Sequence, residues 1–189
     1  VGIDGFHMRH FSMISVPGVL ALCKILQVME ISSLLPAQLD ATVLALLGKP
    51  VGGFRPIGIF MSSYRLWGRA RRGLADRWEG EHARPYFAAG KFQGAADVVW
   101  RQSVKSESGV SRKEHAATLL WDMYKYYELI DLDRLLARCE RLNFPVALAR
   151  LAIRAYRAPR FLSLGGCLDG PWYVSCGIVA GCSLATTLI

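Results

Sequence analysis

Three groups of residues have the types and spacing that suit phosphate or metal chemistry. Lys49 and Arg55 flank Gly52-Gly53 in the run Gly48-Lys49-Pro50-Val51-Gly52-Gly53. A glycine turn lets backbone N–H groups approach a phosphate, while Lys and Arg supply a point charge and a forked donor. Lys49 precedes the paired glycines, so this is not a P-loop, and a solvated β-turn with incidental charges accounts for the same residues. Arg65, Arg69 and Arg72 fall at i, i+4 and i+7, one face of a helix, with Tyr64 and Trp67 interleaved and Arg71 and Arg77 nearby. Such a face can track a nucleic-acid backbone, or it can stand in solvent beside Asp76, Glu79 and Glu81. Asp122 follows the apolar Leu119-Leu120-Trp121. A carboxylate leaving a buried strand is costly to desolvate without a cation, which Mg²⁺ would supply. The competing reading makes Asp122 the cap of a helix starting at Met123.

Other chemistry is poorly served. Glu114 and His115 do not make a convincing acid–base pair, and His7 and His10 lack metal-ligand partners. No nucleophile elbow, dinucleotide fingerprint or HExxH motif occurs. Cys23, Cys139, Cys167, Cys176 and Cys182 are an odd set without a CxxC pair, which implies reduced, mostly buried thiols in an intracellular, non-secreted protein.

The elements that must position these groups follow from periodicity and breakers. Val19 to Ile31 has helical spacing of apolar residues. Ala41 to Leu47 and Phe54 to Met61 read as strands of a hairpin with the glycine-rich tip. Ser62-Ser63 can cap a helix running to about Arg77, and a second helix is expected from Ala95 to about Lys105, then a polar loop through Lys113. Ala116 to Trp121 reads as a short buried strand. Leu132 to Leu142 and Val146 to Tyr156 are amphipathic helices split by Asn143-Phe144-Pro145. Phe161 to Leu164 and Trp172 to Cys176 are expected to form a second hairpin around Gly165-Gly166 and Asp169-Gly170.

The 189 residues are 52% hydrophobic and 20% charged, which excludes a disordered chain and allows one domain with a core. The net charge of +8 favours a polyanionic partner. Phe11 to Cys23 and the uncharged Gly170 to Ile189 are long apolar runs, but Pro17-Gly18 interrupts the first. The second, broken by small and polar residues, reads as a packed strand followed by a turn rather than a membrane span. Val1 in place of Met, and an apolar run ending at Ile189, suggest that both ends are cut from a longer protein.

The order of these pieces resembles reverse transcriptases, most closely those of non-LTR retroelements. The run from Leu46 to Gly58 (LLGKPVGGFRPIG) is similar to their fingers hairpin, followed by a basic segment like Tyr64-Arg65-Leu66-Trp67. Phe92-Gln93-Gly94-Ala95-Ala96-Asp97 looks like the next fingers motif. Leu120 to Glu128 (LWDMYKYYE) looks like the first palm motif, Asn143-Phe144-Pro145 like the G-F-P between palm helices, and Gly177 to Ser183 (GIVAGCS) like the G-x-x-Q-G motif. The chain departs from the family pattern at Gly48, Val51 and Ala180, and Tyr126-Tyr127-Glu128 replaces an aromatic-Asp ending.

The resemblance implies an α+β fold. Residues 1–33 would be an N-terminal connector, 34–114 the fingers, and 115–189 the first half of the palm of a right-hand polymerase. The implied function is RNA-directed DNA synthesis by metal-dependent nucleotidyl transfer, on an RNA template and DNA primer with deoxynucleoside triphosphates. By residue, Lys49 and Arg55 would hold the triphosphate. Asp122 would be catalytic and bind Mg²⁺ (or Mn²⁺), helped by the Met123 carbonyl. Tyr127 would be the steric gate, and Gly177 and Gly181 would floor the nucleotide pocket, while Arg65, Arg69 and Arg72 would bind nucleic acid. The chain stops before the motif carrying the second pair of Asp residues, so this part alone is expected to be catalytically incomplete. The alternative is a catalytically dead remnant acting only as a basic RNA-binding module. No membrane partner is expected, and a retroelement protein is compatible with the nucleus.

Overall fold

The computed structural model describes residues 2–84, 86, 94–115, 117–119 and 121–189. The chain is a mixed α+β protein. Its elements are α1 (Val16–Ser32), β1 (Thr42–Gly48), β2 (Phe54–Ile59), α2 (Ser62–His82), α3 (Ala95–Ser111), α4 (Leu132–Arg141), α5 (Val146–Tyr156), β3 (Arg160–Leu164) and β4 (Cys167–Trp172). They fall into two compact units, one of Val1–Ala75 with Lys125–Ile189 and one of Asp76–Tyr124, the division falling within α2.

The first unit holds a four-stranded mixed sheet in the order β2-β1-β3-β4. The β1–β2 hairpin pairs Val43 with Ile59 through Gly48 with Phe54. β3 lies parallel to β1, Thr42 opposite Arg160, and antiparallel to β4. Helix α5 supplies much of the core: Leu148, Ala149, Leu151, Ala152 and Tyr156 are almost wholly buried, as are Trp67 of α2 and Leu184. Its spacing of Leu and Ala, all good helix formers, keeps one broad apolar face inward. Asp131 caps α4 by accepting from the N–H groups of Asp133 (2.9 Å) and Arg134 (2.8 Å). Those backbone bonds, the one from Arg134 foremost, lower the Asp131 pKa.

Several expectations need correction. The cap of α2 is not local: Asp4, 58 residues earlier, accepts from the Ser62 N–H at 2.6 Å, satisfying a donor that the helix start leaves free. The second hairpin turns at Gly165-Gly166, both at positive φ, and β4 spans Cys167–Trp172 instead of Trp172 to Cys176. Two glycines in a two-residue loop meet the left-handed geometry of a tight turn, which Asp169-Gly170 does not need to supply. The expected polar loop from Ser106 is the continuation of α3 to Ser111.

The second unit contains α3 and the segment leading to Asp122. The buried strand expected from Ala116 to Trp121 is not formed at its described residues 117–119 and 121, and Leu119 and Trp121 are 74% and 81% exposed. An apolar run becomes a strand only beside a pairing partner, and among the described residues every strand of the sheet lies in the first unit. Ala116 and Leu120 lie outside the described residues, as do Phe92 and Gln93 of the second fingers-like motif. Among the described residues no helix is long and apolar enough to cross a membrane.

Candidate nucleotide and nucleic-acid site

The glycine-rich tip is built as a tight loop. Lys49 N–H donates to the Gly53 carbonyl (3.0 Å) and Gly52 N–H to the Lys49 carbonyl (3.1 Å), with Gly52 and Gly53 at φ of 89° and 79°. This closes the hairpin so that Lys49 and Arg55 stand at the same end of it, both exposed and their side chains without a partner among the described residues. Strand pleating puts Phe54, Pro56 and Gly58 on one face and Arg55, Ile57 and Ile59 on the other.

Gly58 is where the hairpin meets the glycine segment. Its N–H donates to the Ala180 carbonyl at 2.6 Å, and a side chain at position 58 would run into Val179. Gly181, at φ 107°, lies so close that a Cβ there would sit 2.5 Å from the Gly58 carbonyl oxygen. At the other end, Gly177 N–H donates to Ile130 O and Ile178 N–H to Tyr127 O, both at 2.8 Å. Tyr127 is half-buried in a short 3₁₀ turn, Tyr127–Leu129. The Tyr127 backbone, β2 and Gly177–Gly181 are therefore one packed assembly. Arg55 leaves the sheet on the face away from Gly58.

Two arginines staple the glycine segment. Arg160 donates to the Tyr156 carbonyl (2.9 Å) and the Gly177 carbonyl (3.2 Å), and burial lowers its pKa. Arg72 donates to the Ser183 carbonyl at 2.7 Å and to the Thr187 hydroxyl at 3.3 Å. Arg72 thus has a structural task on the same helix face as Arg65 and Arg69. Those two are exposed, their side chains make no hydrogen bond or ion pair among the described residues, and they line a concavity of about 230 Å³ with Phe60, Tyr64, Gly181, Cys182 and Ser183. Gly68 lets this turn approach α2, since a Cβ there would stand 2.5 Å from Ser183 Oγ.

Below the concavity lies a buried polar cluster. Tyr64 Oη and Cys182 Sγ are 3.2 Å apart across 118 residues of sequence. Burial, then the neighbouring Cys182, pushes the Tyr64 pKa well up. Tyr156 is shifted the same way by the same leading causes, and its hydroxyl makes no hydrogen bond of normal geometry. Cys182, Ser183 and Tyr64 fall within motifs quoted from the sequence, which gave them no role of their own. The glycines at 58 and 68, each inside a regular element, were the available signal, because such glycines mark close backbone approach.

Asp122 and Met123 lie in the second unit and are exposed. Among the described residues no three His, Cys, Asp or Glu side chains cluster as a metal site. Two Mg²⁺ ions held against hydration need more than one carboxylate, so the donors present do not fit a two-ion centre. No protein-family model matches the chain, and a search of curated proteins returned no match.

Proposed function

We propose that the chain is part of an RNA-directed DNA polymerase of the non-LTR retroelement type, carrying its template- and nucleotide-handling surfaces. The supporting observation is that Arg65, Arg69 and Gly181 line one concavity. Arg65 and Gly181 belong to two separate motifs of the polymerase pattern, with Arg69 one helical turn beyond Arg65, and the reading needs them at the same nucleic-acid path. Guanidinium groups without protein partners, beside a turn with a left-handed glycine, suit the phosphates of a strand. The Mg²⁺ that such a polymerase uses would require carboxylates in addition to Asp122.

A second reading, a basic RNA-binding module without catalysis, is favoured by the position of Arg55 on the sheet face away from Gly58 and by the exposure of Asp122. Binding of a fluorescent deoxynucleoside triphosphate separates the two. The polymerase reading expects Lys49→Ala and Arg55→Ala each to weaken it about tenfold, the loss of one charge-assisted contact. The 189-residue chain itself should not extend a primer with either Mg²⁺ or Mn²⁺. Unchanged triphosphate affinity in both variants, with RNA binding intact, would leave the RNA-binding module.

A further inference from the structure

Helix α1 is predominantly apolar, interrupted by Lys24, Gln27, Glu30 and Ser32, yet only one edge of it is covered. Met29 is buried, and Glu30 ties the helix to α2 by accepting from Trp67 Nε1 at 2.7 Å and Arg71 Nε at 2.5 Å. The opposite side leaves Val16, Leu20, Val28 and Ile31 between 60% and 85% exposed. A helix with this much apolar surface normally buries more than one edge. We infer that this face of α1 is the two-fold interface of a homodimer, in which α1 packs antiparallel on α1 of a second copy.

Three observations select a second copy as the occupant. The first is extent. With Met13 and Leu34 at its ends, the exposed apolar surface is on the order of 700 Å² at ordinary side-chain areas, above the ~300–600 Å² of a typical largest monomer patch and near the ~800 Å² that one partner gives a standard interface. The second is self-complementarity, which an isologous interface requires of a single surface. The exposed Val16, Leu20 and Ile31 share the helix with a mostly apolar groove of about 470 Å³ lined by Lys24, Ile25, Val28, Ser32, Leu34 and Pro36, so one copy carries both knob and hole. The third is pattern. Val16, Leu20, Cys23, Gln27 and Ile31 recur at spacings of four and three, the seam of a helix pair. Lipid is a poorer fit, because membrane-surface helices carry a row of Lys and Arg beside the apolar face and α1 has Lys24 alone.

The geometry has a chemical signature. The midpoint of the stripe from Val16 to Ile31 falls between Cys23 and Lys24, and Cys23 is exposed, so an antiparallel pair brings the two Cys23 thiols close to the axis. The test is sedimentation velocity of the 189-residue chain from 1 to 100 μM, with diamide oxidation in a Cys167→Ser, Cys176→Ser background. The expected result is a concentration-dependent dimer, a Cys23-linked dimer on non-reducing gels, and at least tenfold weaker association of Leu20→Glu and Ile31→Glu. Both side chains are exposed, so circular dichroism of the variants should match the parent. A monomer throughout the range would overturn the inference. A dimer indifferent to both substitutions would also overturn it, as would binding to anionic phospholipid vesicles that the same substitutions abolish while the chain stays monomeric.

Discussion

At the residue scale, the glycine segment holds its place through contacts that tolerate no side chain. Gly181 combines a left-handed backbone with the Gly58 carbonyl 2.5 Å from where a Cβ would be, and backbone cannot swing aside as a flexible side chain can. Gly58 has ordinary φ, and its leading obstacle is the Val179 side chain. Gly181→Ala should therefore cost more than Gly58→Ala, about 3 kcal/mol or more against about 1–3 kcal/mol for overpacking alone. Urea unfolding checks the order, and equal losses would mean that the left-handed turn contributes nothing. The sequence identified Gly177 and Gly181 by their resemblance to a motif. It could not identify Gly58 as their seat, because that contact is made only when β2 and the later segment fold together.

At the element scale, what was legible depended on whether an element carries its own reasons. Helices α4 and α5 do: periodic apolar residues and a break at Asn143-Phe144-Pro145 placed both within a residue of their bounds. The hairpin of β1 and β2 was equally plain from its glycine tip. Ala116 to Trp121 has the composition of a strand, but pairing is a property of the neighbour and cannot be read from the run itself. The burial of α1 was also beyond the sequence: its spacing marks Leu20, Ile25, Val28 and Met29 as apolar positions, and of these only Met29 is buried. Its attachment to α2 rests on Glu30, whose loss would strand the indole N–H of fully buried Trp67. Glu30→Ala should cost about 1–3 kcal/mol, the penalty of an unsatisfied buried donor, and Glu30→Gln much less because its amide oxygen still accepts. Thermal unfolding of the two variants decides, and matched losses would show that the Trp67 bond is not what joins the helices.

At the scale of the whole molecule, buried acids give the first unit a pH limit. Burial, then Glu140, pushes the Cys139 thiol from its ordinary 9.0 up to about 11, and Tyr64 and Tyr156 stand well above their ordinary 10.0. The folded state holds these protons more tightly than the unfolded chain. Their contribution is complete below about pH 9 and declines as pH rises through 9 to 11 and beyond. The midpoint of thermal unfolding should fall across that window. Tyr156→Phe, which removes a buried hydroxyl lacking a hydrogen bond, should flatten the decline and be neutral or stabilising by about 1 kcal/mol at pH 7. A midpoint that stays level to pH 11 would mean that these groups are solvated.

The basic character of the chain also divides by task, and this bears most directly on whether it handles a nucleic-acid strand. Arg72 is committed to Ser183 and Thr187, whereas Arg65 and Arg69 line the concavity without protein partners among the described residues. Affinity for a single-stranded RNA 12-mer, measured against salt concentration, distinguishes the two kinds of arginine. The expected result is that Arg65→Gln and Arg69→Gln each flatten the slope of log affinity against log salt by about 0.7, one phosphate contact apiece, while Arg72→Gln lowers stability and leaves the slope unchanged. RNA binding whose slope is the same in the Arg65→Gln, Arg69→Gln double variant would contradict the assignment of this face to a nucleic-acid strand.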